Sequence, residues 1–294
     1  MLTLQQLGQE FGTEEQCLAY VVRLRWPQGV CCARCGSAQV SKLARPWRWQ
    51  CKQCNRQGYR FSPLVGTVFE NTKYPLTIWF KVIYLLCQSK KGISALQIHR
   101  MIGSGSYRTA WSMCHRIRAA LQPAARPPLR GLVEVDETYV GGKEGKKRKA
   151  KRRRLNGTAG KIPVLGALSR RGAVVTQVVD TPDTRTLQGF VTARVSPQAE
   201  LVATDDHAGY RYLRAAGYRH ETVRHSRGEY VRGRVHTQSI ESFWALLKRG
   251  LLGTFHHVSR RYLPLYLSEF TFRYTYRTDP HRFERMLAGG VGGV

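Results

Sequence analysis

At 294 residues and 42% hydrophobic side chains, the chain can bury one large core and one or two small ones. Its 48 Lys and Arg against 19 Asp and Glu leave a formal charge of +29, which repels itself in a compact state and points to an anionic partner, nucleic acid being the usual one. No apolar run approaches the roughly 20 residues that span a bilayer, and the N-terminal stretch lacks the basic, apolar, small-residue order of a secretory signal, so a cytoplasmic protein with no membrane partner is expected.

Residues 1–27 read as an N-terminal helical segment. Between 28 and 62, Cys32-Ala-Arg-Cys35-Gly36 and Cys51-Lys-Gln-Cys54 form two CxxC knuckles with 15 residues between them. That spacing lets four thiolates close a tetrahedron around one structural Zn²⁺, and Gly36 permits the tight turn after the first pair. Cys31, next to Cys32, would need a longer knuckle, so Cys32 is the expected ligand. A ribbon of this size cannot bury a core of its own and should fold on its metal, a contribution on the order of 10 kcal/mol. Its basic residues, Arg34, Lys42, Arg45, Arg48, Lys52 and Arg56, are weak evidence for DNA contact in so basic a chain. Cys17, Cys87 and Cys114 lie on apolar helical faces and read as core residues.

Residues 76–122 carry three helical stretches. Leu76–Gln88 is apolar at helical spacing, Ser94 is a suitable N-cap for a second helix, and Gly103-Ser-Gly-Ser106 turns the chain into a third, Tyr107–Leu121. The pair resembles a helix-turn-helix whose second member exposes Arg108, His115, Arg116 and Arg118, with Tyr107, Arg108 and Arg116 as candidate contacts to a DNA end. A helical hairpin with solvated charges is the alternative. The proline- and arginine-rich stretch after Leu121 reads as a linker.

From 131 to 277 the pattern changes to strands at Leu132–Val140, Pro163–Ser169 and Val174–Asp180. A helix follows over Thr184–Val195, then a strand at Glu200–Thr204, a helix near Ala208–Ala216, a strand at His220–His225 and a helix at Thr237–Gly250. Three strands followed by alternating helices and strands is the order of a ribonuclease-H-like domain. The whole chain is thus expected to be a mixed α/β (α+β) multidomain protein: a zinc ribbon, a helix-turn-helix-like segment and a ribonuclease-H-like catalytic domain. In that order Asp136 lies mid-strand, Asp205 ends the fourth strand and Glu241 stands in the helix after the fifth. Alternation puts Glu134, Asp136 and Thr138 on one face of the first strand, with Val133, Val135 and Glu137 on the other. Three carboxylates so placed suit a pair of Mg²⁺ or Mn²⁺ ions about 3.5–4 Å apart, which serve in-line phosphoryl transfer. Glu134 and Glu137 remain alternatives to Asp136, as Asp206 does to Asp205. His207, His225 and His236 could line the site, although a histidine near a strand end is more often a hydrogen-bonding core residue.

Here the residues become recognisable. Val135-Asp136-Glu137-Thr138-Tyr139-Val140-Gly141-Gly142-Lys143, Thr204-Asp205-Asp206-His207-Ala208-Gly209-Tyr210 and His236-Thr237-Gln238-Ser239-Ile240-Glu241-Ser242-Phe243-Trp244, continuing through Leu247-Lys248-Arg249-Gly250, resemble bacterial insertion-sequence transposases of the ISXO-like group. The likeness runs from about residue 15 to 280. Asp205 and Glu241 have 35 residues between them, a separation common among DDE transposases and retroviral integrases. The resemblance implies cleavage of insertion-sequence ends and strand transfer into target DNA, with Asp136, Asp205 and Glu241 as Mg²⁺ (or Mn²⁺) ligands. It also implies that Lys248, with Arg249 beside it, contacts the terminal inverted repeat near the active site. A homodimer or higher oligomer on double-stranded DNA, in a bacterial, nucleoid-associated setting, follows from the same likeness. Gln238 departs from the Asn more usual in the group, which bears on where the helix starts.

Lys143–Arg154 has nine basic residues against one acid. Lying between two strands, it reads as a loop ordered only by phosphate, with Lys146, Lys147, Arg148, Arg152 and Arg153 as candidate DNA contacts. Residues 259–278 look like a C-terminal helix whose aromatics cover the sheet, and 278–294 like a flexible tail. Two further functions fit parts of the pattern: a nuclease of the same fold without strand transfer, and a non-enzymatic zinc-ribbon nucleic-acid-binding protein.

Overall fold

The computed structural model describes residues 2–54, 57–122, 127–141 and 160–292. They divide into two compact units, Met1–Gln122 with Thr278–Val294, and Pro123–Arg277.

In the first unit, helices α1 (Leu4–Glu10) and α2 (Glu14–Arg25) each begin with a capping box, Thr3 with Gln6 and Thr13 with Gln16. These reciprocal bonds satisfy amides that a short helix leaves without partners. Strands β1 (Val40–Lys42), β2 (Trp49–Cys51) and β3 (Tyr59–Phe61) form an antiparallel sheet. Trp26, just past α2, packs on Trp49 and Phe61 with centroids 5.8 and 6.0 Å away. The ribbon therefore borrows a wall from the preceding helix, and Cys32 and Cys51 are buried within this cluster.

Helices α3 (Leu76–Gln88), α4 (Ala95–Ile102) and α5 (Tyr107–Ala120) follow. The Ser94 hydroxyl caps α4 by accepting from the Gln97 amide, and Gly103 ends it in the left-handed conformation. One expectation fails on α5. His115 and Arg118 are buried, at 8% and 1% exposure, because they flank the apolar face made by Ala110, Met113, Cys114 and Ile117. Cys17, Cys87 and Cys114 are buried as expected.

The flexible tail expected over 278–294 is also corrected. Arg282–Gly290 forms helix α10, with Phe283, Met286, Leu287 and Gly290 buried at positions i, i+3, i+4 and i+7. Phe283 meets Phe11 and Phe80 at 5.7 and 6.1 Å. The glycines that suggested flexibility provide close approach: a Cβ on Gly290 would stand 3.0 Å from Val68, and one on Gly289 3.3 Å from the Ala120 carbonyl oxygen.

The second unit is built on a five-stranded sheet. Its strands are β4 (Leu132–Val140), β5 (Ile162–Ser169), β6 (Val174–Val178), β7 (Leu201–Thr204) and β8 (His220–Thr222), in the order β6-β5-β4-β7-β8. The first three pair antiparallel, whereas β7 and β8 run parallel to β4. This is the ribonuclease-H-like order. Helix α6 (Thr184–Arg194), a 3₁₀ turn at Ala208–Tyr210 and α7 (Tyr212–Ala215) lie on one face, around Val133, Val135, Leu165 and Leu187. Helices α8 (Gln238–Gly253) and α9 (Leu263–Thr275) cover the other, around Val164, Leu168, Phe243 and Phe270. Between β8 and α8 the chain adds a hairpin, β9 (Val231–Arg232) with β10 (Val235–His236), too short to show as a strand pattern in the sequence.

Candidate functional site

The four knuckle cysteines converge, with all four sulfurs within 4.8 Å of one another. Cys32 and Cys54 lie 3.4 Å apart, and Cys35 and Cys51 3.8 Å. Four sulfurs at about 2.3 Å from a tetrahedral zinc stand about 3.8 Å from each other, so the cluster has the right size. Cys31 is outside it. Without a cation Cys32 and Cys54 do not ionise together. Burial pushes Cys54 up to about 12, helped by hydrogen bonds with the other three thiols. At Cys32 burial also opposes the thiolate, but amide hydrogen bonds from Cys35 and Arg34 and contacts with Cys54 and Cys35 outweigh it and bring the thiol to about 7. A divalent cation removes this conflict by binding all four as thiolates.

In the second unit the strand register sets the acids. Glu134 on β4 stands opposite Ala203 on β7, so two residues further along, Asp136 and Asp205 come level. Asp136 is half-buried and its carboxyl is pushed up to about 7, first by desolvation and then by the negative charges of Glu137 and Asp205. The neighbouring Asp206 turns away, its Oδ2 accepting the Ser226 hydroxyl at 2.7 Å. Glu137, on the opposite face of β4, is a fourth carboxylate of the group. Its Oε2 accepts the Tyr210 hydroxyl at 2.9 Å, and burial is the main cause of its raised pKa. Glu241 lies in the first turn of α8, held by a 2.7 Å bond from the Thr237 hydroxyl to its Oε1. The three acids are spread wider than the cysteines, since among the described residues only the cysteine set has ligand atoms all within 4.8 Å. Oxygen ligands around a shared negative charge suit a hard divalent cation, and two such ions need more widely spaced carboxylates than one.

Two side chains for which the sequence suggested no such role fix α8 against β4. The Trp244 indole N–H donates to Asp136 Oδ2 at 3.0 Å. Its ring lies over Gly166, the residue opposite Asp136 on β5, where a Cβ would stand 2.4 Å from the indole. Glu134 is fully buried. Its Oε2 accepts the amides of Ser239 and Ile240 at 2.8 and 2.9 Å, and its Oε1 accepts from Arg170 Nε at 2.7 Å. A strand carboxylate thus caps the helix that carries Glu241, in place of the side-chain cap Thr237 does not make. Replacing Glu134 with Ala leaves a half-buried guanidinium and two amides without this acceptor, and should cost about 2–4 kcal/mol in a urea titration. Glu134→Gln keeps an oxygen for the amides and should cost clearly less, so equal losses would refute the capping role.

Of the other candidates, Lys248 and Arg249 are exposed on α8, with Lys248 two turns beyond Glu241. Arg108 is exposed at the start of α5. Arg116 is half-buried, donating to the Glu70 carbonyl at 2.8 Å and lying over the Trp79 ring. It lines one cavity of about 300 Å³ with Lys73, Arg108 and Thr109. His207 is exposed and its Nδ1 accepts the Gly209 amide, whereas His236 Nδ1 lies 3.3 Å from Glu134. Lys146, Lys147, Arg148, Arg152 and Arg153 lie outside the described residues. Among the described residues no helix is long and apolar enough to cross a membrane.

Residues 128–275 match the family described as ISXO2-like transposase domain, and residues 12–57 match the transposase zinc-ribbon domain. A protein of Halobacterium salinarum (strain ATCC 700922 / JCM 11081 / NRC-1), described as an uncharacterized protein in transposable element ISH50, is 31% identical over 277 residues, covering 90% of this chain and 91% of that one. A chain of the simian T-cell lymphotropic virus intasome, solved by cryo-electron microscopy in complex with PP2A regulatory subunit B56 gamma, is 14% identical with a TM-score of 0.30. The match covers 66% of this chain and 65% of that one.

Proposed function

The chain belongs to the ISXO2-like transposases, and from that premise we propose that it cuts the ends of its own element and joins them to target DNA, with Asp136, Asp205 and Glu241 as the catalytic carboxylates. The observation that supports this reading best is the Asp136 carboxyl, pushed up first by desolvation and then by the charges of Glu137 and of Asp205, which follows the end of the adjacent parallel strand β7. A half-buried carboxyl held at about 7 by desolvation and by other carboxylates is poorly matched to a salt-bridge role and well matched to a cation.

Magnesium or manganese ions, when bound, activate the attacking oxygen and neutralise the leaving one. Asp136 is oriented by the Trp244 indole, Asp205 by its place at the end of β7, and Glu241 by Thr237 and by the docking of α8 on Glu134. In the first transfer, water attacks the phosphodiester at the element end and the 3′ oxygen leaves as a free hydroxyl. In the second, that hydroxyl attacks a target phosphodiester and displaces its 3′ oxygen. Lys248 and Arg249 on α8 hold the terminal repeat beside the acids, and Arg108 and Arg116, with the basic run containing Lys146, Lys147, Arg148, Arg152 and Arg153, are further contacts to the duplex. Pairing two ends requires at least two protomers on DNA. The cysteine cluster holds a structural Zn²⁺.

Asp205→Asn is the direct test. The variant should lose Mg²⁺-dependent cleavage by at least about 10³-fold, while its affinity for double-stranded DNA stays level or rises because a negative charge has gone. Retained cleavage would overturn the assignment, and cleavage without end joining in the wild type would reduce the reading to a nuclease.

A further inference from the structure

Beside the carboxylates lies a second feature, which rests on the transposase reading and adds a subsite to it. Strands β4, β7 and β8 are parallel, and ligands of such sheets bind outside the carboxyl ends of the strands. Thr204 on β7 stands opposite Thr222 on β8, which brings the segments that follow, Asp205-Asp206 and Val223-Arg224, alongside each other. Neighbouring strands are about 4.8 Å apart, so the end of β8 is about one strand spacing from Asp205. At this point the structure has a crevice of about 360 Å³ lined by Asp206, His207, Arg211, Arg224, Ser226 and Arg227.

The charges of this crevice are arranged unlike those of the hairpin next to it. Arg232 pairs with Glu221 and Glu229, and Arg234 with Glu200. Arg211, Arg224 and Arg227 are exposed, and among the described residues none of them is ion-paired. Glu229, the nearest acid in sequence to Arg227, is taken up by Arg232 and by the Arg224 amide. Asp206, the one acid in the lining, accepts the Ser226 hydroxyl. His207 Nδ1 accepts the Gly209 amide, which leaves Nε2 as the ring's donor in the neutral form. His220, deeper in the lining, bonds Thr204 Oγ1 through Nε2 at 2.9 Å and takes no part in the charge.

We propose that this crevice is a phosphate subsite for the nucleic-acid backbone, in which Arg211, Arg224 and Arg227, with His207 as a hydrogen-bond donor, hold phosphates one or two nucleotides from the one that reacts at Asp136 and Asp205. Guanidinium forks match phosphate oxygens in pairs, and their hold on the backbone fixes the register of the strand over the acids.

The test measures binding of the full-length protein to a DNA duplex of arbitrary sequence, and to one copied from an end of the element, over a range of salt in EDTA. It needs no catalysis, so failure of the cleavage reading and failure of the subsite are separate results. Arg224→Ala/Arg227→Ala should lower the magnitude of the log–log salt slope by about 1.8, at about 0.9 for each phosphate that is no longer neutralised, and weaken binding by at least about tenfold near 0.1 M salt. Arg185→Ala/Arg194→Ala removes the same charge from exposed positions on α6 and should change the slope by less than half as much. A loss on the element end alone assigns the subsite to that end, and a loss on both duplexes assigns it to target as well. Equal losses for the two variant pairs, or no loss for the first, would overturn the proposal.

Discussion

Asp136→Asn should abolish cleavage and, in the metal-free protein, raise stability at pH 8. The first effect follows from removing a proposed metal ligand at the centre of the site. The second follows from the raised pKa. Desolvation, with Glu137 and Asp205 adding repulsion, puts the folded carboxyl at about 7, well above its ordinary value of 3.8. The folded state therefore holds this proton more tightly than the unfolded chain does. Any stability that comes from the protonated form is complete below about pH 4 and is lost as the pH rises through 7. Asn cannot ionise and keeps an oxygen to accept the Trp244 indole N–H. The variant should match the wild type near pH 4 and gain steadily on it towards pH 8, reaching about 2–4 kcal/mol. Urea titrations at a series of pH values in EDTA would measure the gain. A variant no more stable at pH 8 than at pH 4, relative to wild type, would show that burial and neighbouring charge do not raise the Asp136 carboxyl. Saturating Mg²⁺ should shrink the difference, because the ion stabilises only the chain that keeps the carboxylate.

Cys32→Ser should strip the first unit of its metal and unfold the ribbon. Purified wild-type protein is expected to carry about one zinc per chain, and the variant close to none. The sheet β1-β2-β3 has three residues per strand, and its buried side chains beyond the cysteines are Trp26, Trp49 and Phe61. So small a core cannot offset the ordering of its loops, whereas structural zinc contributes about 10 kcal/mol or more. Disruption of the Trp26–Trp49–Phe61 packing should appear as a red shift of tryptophan emission, reproduced in the wild type by a strong chelator. A wild-type protein without zinc, or one whose emission ignores the chelator, would refute the site. Cys31→Ser should leave the metal content unchanged, since Cys31 stands outside the cluster.

The local elements were legible because their signals are local. Two CxxC pairs at fixed separation mark a metal cluster, Ser94 and Gly103 mark the ends of α4, and the alternation Val133, Val135 against Glu134, Asp136 marks the two faces of β4. Within the second unit the predicted strands stand within two residues of the observed ones except at β8, where Thr222 ends a strand expected to reach His225. The misses have a common cause. His115 and Arg118 read as exposed because a helix surface is periodic whatever covers it, and the burial of a charged face depends on neighbours from elsewhere in the chain. The tail read as flexible because Gly289 and Gly290 are permissive in isolation, while their close approach to Ala120 and Val68 involves residues about 170 and 220 positions earlier.

What the sequence by itself determined is the inventory of candidate chemistry: four cysteines spaced for zinc, the three carboxylates proposed for phosphoryl transfer, and an excess of Lys and Arg. What the tertiary structure decided is which side chains hold that chemistry in place. Glu134 and the amide of Ser239 are 105 residues apart, as Asp136 and Trp244 are 108. A bond across such a separation leaves no periodic trace, because its partners are brought together only when α8 closes over the sheet and the buried carboxylate must find donors there.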